Sequence, residues 1–331
     1  MSTAPRILFD EPTREEWLAE RTKGIGSSDV AAIIGADPYR NALDVWLSKT
    51  GRDSAGIETR PMRLGLKLEP IILGEFIEET GLDAVRDGVL ARHATCPIAL
   101  ATPDAKLTAR PAGVELKAPG LRQASHWGRS WGNEYPEHYL AQCAWQMAVL
   151  DRDEWYLAAL LGGQDFRVYH IRRDRELEAG LLEAAKRFWR DHVIADRAPA
   201  LDDSETARRY VESRFPISRG PLRSPTDEGA ALVAELSEAR ARARAAESDE
   251  NRVGNLLRES IGEDEGIEEK GLYKVSWKSQ RGRTTTDWEA VARTFCPPAD
   301  LISQHTATGA PMRVFRPTGQ LFPSRREEGK D

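Results

Sequence analysis

Asp104 and Glu115 stand eleven positions apart, in the run Thr102-Pro103-Asp104 to Val114-Glu115-Leu116-Lys117. Val114–Lys117 alternates apolar and charged residues, so as a strand it projects Glu115 and Lys117 from one face. Asp104 follows a second short apolar run, Ala99-Leu100-Ala101. A hairpin between the two runs would bring its carboxylate beside Glu115. Oxygen ligands of this kind suit Mg²⁺ or Mn²⁺, and a lysine near a metal-bound water suits hydrolysis of a phosphodiester. The alternative for so short a motif is a solvated strand edge with ordinary surface charges.

Three neighbouring features bear on that choice. Glu69 sits in the mostly apolar stretch Leu64-Gly65-Leu66-Lys67-Leu68-Glu69-Pro70; it is either a third carboxylate reaching toward the sheet or a surface glutamate paired to Lys67. Gln142 and Gln146 are four apart and share one face of a helix, which lines a groove beside the acidic residues or is simply the wet side of that helix. The stretch Arg21-Thr22-Lys23-Gly24-Ile25-Gly26-Ser27-Ser28-Asp29 places two cations, two glycines and two hydroxyls ahead of a helix. Exposed amides at a helix start, backed by arginine and serine, make a phosphate pocket. The competing reading is a capping turn with Ser27 or Ser28 as N-cap.

The elements that must position these residues form an α/β core over about residues 10–200. Helices are expected at Glu15–Arg21, Asp29–Gly35, Leu43–Thr50 and Leu64–Thr80, the last two closed by Gly51 and Gly81. Strands follow at Val85–Arg92, Ile98–Ala101 and Val114–Lys117, then a helix at Tyr139–Leu150. Strands at Glu154–Leu161 and Phe166–Ile171 precede a helix at Glu176–Ala195. Helices, a strand cluster, a helix and two more strands read as a central mixed sheet flanked by helices. Residues 1–200 are therefore assigned to one domain and 201–225 to a linker, on the strength of three prolines between Pro216 and Pro225. Residues 226–302 form a C-terminal extension, helical over Asp227–Ile261, with a strand or hairpin at Gly271–Arg283 and a short helix at Trp288–Phe295. Residues 303–331 read as a loose tail.

Composition narrows the class. The 331 residues are 40% hydrophobic and 30% charged, with a net charge of −6, so any DNA contact must use a local positive surface or a metal-neutralised one. Three scattered cysteines argue against a disulfide framework, a zinc site or an iron–sulfur cluster. No apolar run reaches transmembrane length and Met1–Glu16 has no apolar signal core, so the expected location is cytoplasmic.

Taken together, Gly24-Ile25-Gly26-Ser27-Ser28-Asp29, Pro38-Tyr39 … Trp46, Leu68-Glu69-Pro70, Thr102-Pro103-Asp104, Glu115-Leu116-Lys117, Tyr139 … Gln142 and Gln146-Met147-Ala148, in this order, resemble the YqaJ-like viral recombinase nucleases. Phage lambda exonuclease is related to them, within the PD-(D/E)xK superfamily. The similarity runs from about Trp17 to Asp174. It implies a restriction-endonuclease-like core and a 5′→3′ exonuclease that degrades one strand of linear double-stranded DNA with two Mg²⁺ ions, leaving 3′ overhangs for phage-type recombination. By position, Asp104, Glu115 and the Leu116 carbonyl would hold metal, with Glu69 a further ligand or a water-mediated contact. Lys117 would orient or help deprotonate the attacking water, and Gln142 would support the site. Arg21, Ser28 and Thr102 align with a pocket for the 5′-terminal phosphate, Thr102 standing where a serine is expected. The resemblance also implies a toroidal homotrimer and a single-strand annealing protein as partner. Outside its span, Lys270, Lys274, Lys278, Arg281 and Arg283 accompany Tyr273 and Trp277. They form either a DNA-binding patch centred on Lys274, Trp277, Lys278 and Arg281 or a charge-guarded strand edge.

Overall fold

The structure is a computed structural model that describes residues 4–52, 59–270, 272–280, 282 and 285–307. Its elements, in chain order, are β1 Arg6–Phe9, α1 Arg14–Arg21, α2 Ser27–Ile33, α3 Ala42–Lys49, α4 Arg60–Thr80, β2 Ala84–Arg86, β3 Leu90–Arg92, β4 Leu100–Ala101, β5 Ala105–Leu107 and β6 Ala112–Lys117. They continue with α5 Glu137–Leu150, β7 Glu154–Leu161, β8 Asp165–Arg172, α6 Arg175–Phe188 (prolonged by a π-helical segment, Trp189–Ile194) and α7 Glu205–Arg214. Beyond these lie α8 Asp227–Ile261, β9 Gly266–Glu269, β10 Tyr273–Ser276, α9 Trp288–Phe295 and α10 Ala299–Gln304. The chain divides into two units after Val211.

In the first unit a five-stranded sheet runs in the order β2-β5-β6-β7-β8. All its pairs are antiparallel except β6–β7, which are joined through α5 as a parallel crossover. This is the mixed sheet flanked by helices that the sequence predicts. β7 is buried on both faces, as its unbroken apolar run Trp155–Leu161 requires. Trp155, Leu157, Ala159 and Leu161 join the cluster that holds α2, α3, α5 and α6, while Tyr156 and Ala158 join Ile72 and Phe76 of α4 on the opposite face. On β6, Val114 and Leu116 also face α4, so period-two alternation turns Glu115 and Lys117 toward α5.

Several expectations need correction. The predicted strand Val85–Arg92 is two strands in two sheets, because Asp87-Gly88 breaks it: β2 belongs to the main sheet and β3 to a small sheet β1-β3-β4. β4 therefore does not pair with β6. The hairpin that carries Asp104 is built instead by β5, with Ala105 opposite Val114, a three-residue strand too short to show alternation. α4 begins at Arg60, capped by Thr59, one turn before the predicted start. The helix α7 occupies residues assigned to the linker, and the boundary between the units falls inside it rather than at residue 200. The hairpin predicted at Gly271–Arg283 begins earlier, pairing β9 with β10. Of the predicted tail, residues 308–331 lie outside the described residues.

Close packing under β6 depends on Gly113. A Cβ there would sit 2.2 Å from the ring of Trp155, which is fully buried and cannot retreat. Gly113→Ala should destabilise the protein by about 1–3 kcal/mol in urea unfolding. Gly120→Ala, where a Cβ meets nothing within 4 Å, should stay within about 0.5 kcal/mol of the parent.

Candidate active site

The C-terminal end of β6 is where the two helical layers meet. Glu115 is 3% exposed and both its oxygens are engaged: Lys117 pairs with Oε1, and Gln146 Nε2 of α5 donates to Oε2 at 2.6 Å. Asp104 Oδ2 accepts from the Leu116 amide at 2.8 Å, which ties the end of the Pro-Asp turn to the strand that bears the glutamate. Burial, and then the Glu115 charge, push the Asp104 carboxyl up to about 8. Burial alone would lower the Lys117 pKa, but Glu115 and Asp104 hold it well above the ordinary lysine range, so Lys117 stays an ammonium. Its Nζ also lies 5.6 Å from the centre of the Tyr139 ring. Glu69 enters from α4: burial raises its pKa, and it feels the charges of Lys117, Arg86 and Glu115.

Gln142 is buried on the same helix as Gln146. Gln146, however, is the glutamine that bonds to Glu115, while its own Oε1 is buried without a partner. The four-residue spacing marked both glutamines, but nothing in it showed which would reach the strand.

A second cluster adjoins the first through the chain. Ile25 bridges to Ala99: its amide donates to the Ile98 carbonyl at 2.6 Å and the Leu100 amide donates to the Ile25 carbonyl at 2.9 Å. Only glycine permits this approach at position 24, where a Cβ would lie 2.5 Å from the Ile98 carbonyl oxygen. The bridge sets the Arg21–Ser28 turn beside the strand that leads to Thr102. Arg21 Nη2 donates to Ser28 Oγ at 3.3 Å, the guanidinium lies 4.6 Å from the Trp17 ring centre, and Trp17 Nε1 donates to Thr102 Oγ1 at 3.2 Å. The three residues expected in a phosphate pocket are therefore gathered, with Trp17 as the link that sequence reasoning missed.

The hub of this cluster is Asp29, which is 1% exposed. It pairs with Arg21 at 3.1 Å, Arg40 at 3.2 Å and Lys49 at 2.7 Å. Burial alone would raise its pKa, yet the charges of Arg21, Lys49 and Arg40 hold it far below the usual carboxylate range. Its Oδ2 also accepts from the Gly26 amide at 3.0 Å. Asp29 is not merely the first-turn acid of α2. It is one carboxylate among three cations, which leaves the cluster with an excess of positive charge.

The donor set of the acidic cluster is oxygen-only, and Asp104 bears both burial and the charge of Glu115, which a divalent cation would relieve. Asp104, Glu115 and the Leu116 carbonyl fit such an ion by chemistry. Among the described residues no three His, Cys, Asp or Glu side chains stand together as a ready-made metal site.

The C-terminal patch fares differently. Lys274 pairs with Glu268 at 3.1 Å and Lys278 with Glu265 at 2.6 Å, acids that the hairpin brings across from β9 and its approach. Tyr273 and Trp277 are half exposed. Arg281 and Arg283 lie outside the described residues.

Residues 16–153 match the family model of the YqaJ-like viral recombinase domain. The YqaJ protein of Bacillus subtilis (strain 168) is 33% identical over 208 residues, covering 62% of this chain and 64% of that protein. Protein R354 of Acanthamoeba polyphaga mimivirus is 26% identical over 156 residues, covering 44% of this chain and 28% of the other. The chain thus spans less than two-thirds of the length of either relative. Among solved structures, an alkaline exonuclease from Laribacter hongkongensis is similar with a TM-score of 0.46 and 21% identity, over 61% of this chain and 98% of that one. A phage-related exonuclease from Haemophilus somnus 129PT is similar with a TM-score of 0.36 and 14% identity, over 52% and 96%. No helix among the described residues is long and apolar enough to cross a membrane.

The Asp29 hub yields a stability test. Asp29→Asn leaves Lys49 buried without its counter-charge and should cost about 3–5 kcal/mol at pH 7. A depressed carboxylate pKa stabilises the fold above the unfolded value of about 3.9 and ceases to do so as pH falls through the folded value. Urea unfolding should therefore show a constant gap between variant and parent from pH 7 to about 4.5, narrowing in stronger acid.

Proposed function

We propose that this protein is a metal-dependent exonuclease that hydrolyses one strand of linear double-stranded DNA from its 5′ end. The observation that carries the reading is the adjacency of the two clusters. A cation-rich pocket built on Arg21, Ser28 and Thr102 lies two residues along the chain from Asp104, the first residue of the acidic cluster. A DNA end whose terminal phosphate sits in the first would present a nearby phosphodiester to the second. Internal DNA has no terminal phosphate to offer, so this arrangement favours ends.

In this reading Arg21 supplies a charge-assisted donor pair to the terminal phosphate, backed by the Ser28 and Thr102 hydroxyls. Asp104, Glu115 and the Leu116 carbonyl would hold the cation, with Glu69 closing the site from α4. The ion, Mg²⁺ by donor chemistry and two in number by family resemblance, would supply charge stabilisation at the attacking and leaving oxygens. Lys117, kept as an ammonium by its carboxylate neighbours, orients the attacking water by donating a hydrogen bond rather than by removing a proton. Gln146 fixes one Glu115 oxygen, and Gln142 walls the site behind it. The 3′ overhangs, the homotrimer, the single-strand annealing partner and a phage or prophage origin belong to the same proposal through the resemblance.

The test is digestion, with Mg²⁺, of linear duplexes with and without a 5′ phosphate beside a covalently closed circle. Only the linear DNA should disappear, fastest when phosphorylated, with nucleotides released from the 5′ end. Cutting of the circle would replace the exonuclease with an endonuclease on the same site, and binding without hydrolysis would leave a DNA-binding protein. Asp104→Asn should reduce release to background while the thermal unfolding profile is kept. Arg21→Ala should lose about ten- to a hundredfold in rate on phosphorylated ends, the worth of one charged hydrogen bond, and much less on hydroxyl ends.

A further inference from the structure

The connection from β6 to α5, residues 118–136, folds against the outer edge of β8, the last strand of the main sheet. The Trp131 amide donates to the Val168 carbonyl at 2.7 Å, and Ser130 Oγ accepts from the Val168 amide at 2.9 Å. The Gly128 amide closes the loop by donating to the Glu134 carbonyl at 2.7 Å. Arg167 and Tyr169 of β8 both donate to the Gly128 carbonyl. At the tip of this clamped loop Trp131 takes a φ of 62°. That left-handed conformation is costly for any residue but glycine, and most of all for a bulky one. Glycines stand at 128 and 132, yet neither takes the left-handed turn. The indole finds little inside the protein in return: it is 53% exposed and has no hydrogen bond or ring partner among the described residues. Protection of the sheet edge accounts for the backbone bonds, which any residue could make. It does not account for an exposed tryptophan.

Trp131 shares a level of the sheet with the candidate active site. Leu116 pairs with Ala158 of β7, and Ala158 with Val168 of β8, so Trp131 stands three strand spacings from Leu116, about 14 Å. Arg129 lies in the same turn, its carbonyl accepting from the Gly132 amide at 3.1 Å, and Arg122 lies earlier in the connection. Both arginines are exposed, and neither makes an ion pair among the described residues. The nearby Asp165 is already paired with Arg167. An exposed indole beside free guanidinium groups is the chemistry that grips single-stranded DNA. The cations meet phosphates, and the ring stacks on a base that has lost its neighbours; a base inside a duplex has no free face to offer. We propose that Trp131 is a stacking platform for an unpaired base of single-stranded DNA, with Arg129 and Arg122 holding the backbone beside it. This role rests on the reading that DNA is the substrate. Degradation of one strand of a duplex would supply the single strand within reach of the platform.

Binding measured in EDTA keeps the test apart from hydrolysis. The full chain and its variants are titrated by fluorescence anisotropy against a labelled oligothymidylate and a blunt duplex. Trp131→Ala should bind the oligothymidylate about tenfold more weakly than the parent, the worth of one stacked base, and the duplex as the parent does. Trp131→Phe should recover most of that loss, since it restores a ring. Trp131→Gly relieves the left-handed backbone, so it should unfold at higher urea than Trp131→Ala yet bind the single strand no better. That contrast separates stacking from folding. Arg129→Ala should lower the slope of log affinity against log salt by about 0.7, the share of one phosphate on a single strand, a change that no tryptophan variant should make. Trp131→Ala binding the oligothymidylate like the parent, or losing the duplex equally, would overturn the platform and leave the proposed function standing. A parent chain that binds neither DNA would overturn both.

Discussion

The first unit depends on how it manages charge that is taken out of water. Asp29 and Lys49 are both nearly inaccessible, and neither would be tolerable alone in that position. Their pairing, with Arg21 and Arg40 completing the shell, locks three separate segments together: the end of α1, the start of α2 and the last turn of α3. The Lys49 ammonium also donates to the Arg21 carbonyl at 2.6 Å. The cation-rich surface that faces outward is therefore a by-product of a buried structural pair, and its geometry is as rigid as that pair.

The acidic cluster shows the complementary problem. Glu115 is buried and tolerated because Lys117 and Gln146 occupy its two oxygens. Asp104 has one amide partner, and the field of its neighbours presses it toward the protonated form. A site of excess negative charge thus lies beside one of excess positive charge, separated by the few residues of β4 and the turn after it. The Ile25–Ala99 bridge and the glycine at position 24 fix that separation. In the function we propose, the positive cluster would anchor a DNA end and the acidic cluster would hold the cation.

The C-terminal unit obeys different rules. Lys274 and Lys278 of its hairpin pair with Glu268 and Glu265, and its long helix buries Ser237 and Ile261. A helix of this length draws its stability from what it packs against more than from its own propensity.

The sequence by itself determined most of the elements and named the candidate site residues. Spacing along β6 placed Glu115 and Lys117 on one face, and apolar patterning marked α5, β7, β8, α6 and α8 within a few residues. The ordered motifs pointed to Arg21, Ser28, Thr102 and Asp104 as well. These signals are local, fixed by backbone geometry over a few residues, so they survive without a fold. What tertiary structure decided is everything that needed two distant segments: that β5 rather than β4 carries Asp104 to β6, and that Gln146 rather than Gln142 reaches Glu115. It likewise decided that Trp17 joins Arg21 to Thr102, and that Asp29, in the first turn of α2, is also the centre of three cations. A side chain's partner depends on distances across the core, and a residue's type and its neighbours in sequence carry no record of those distances.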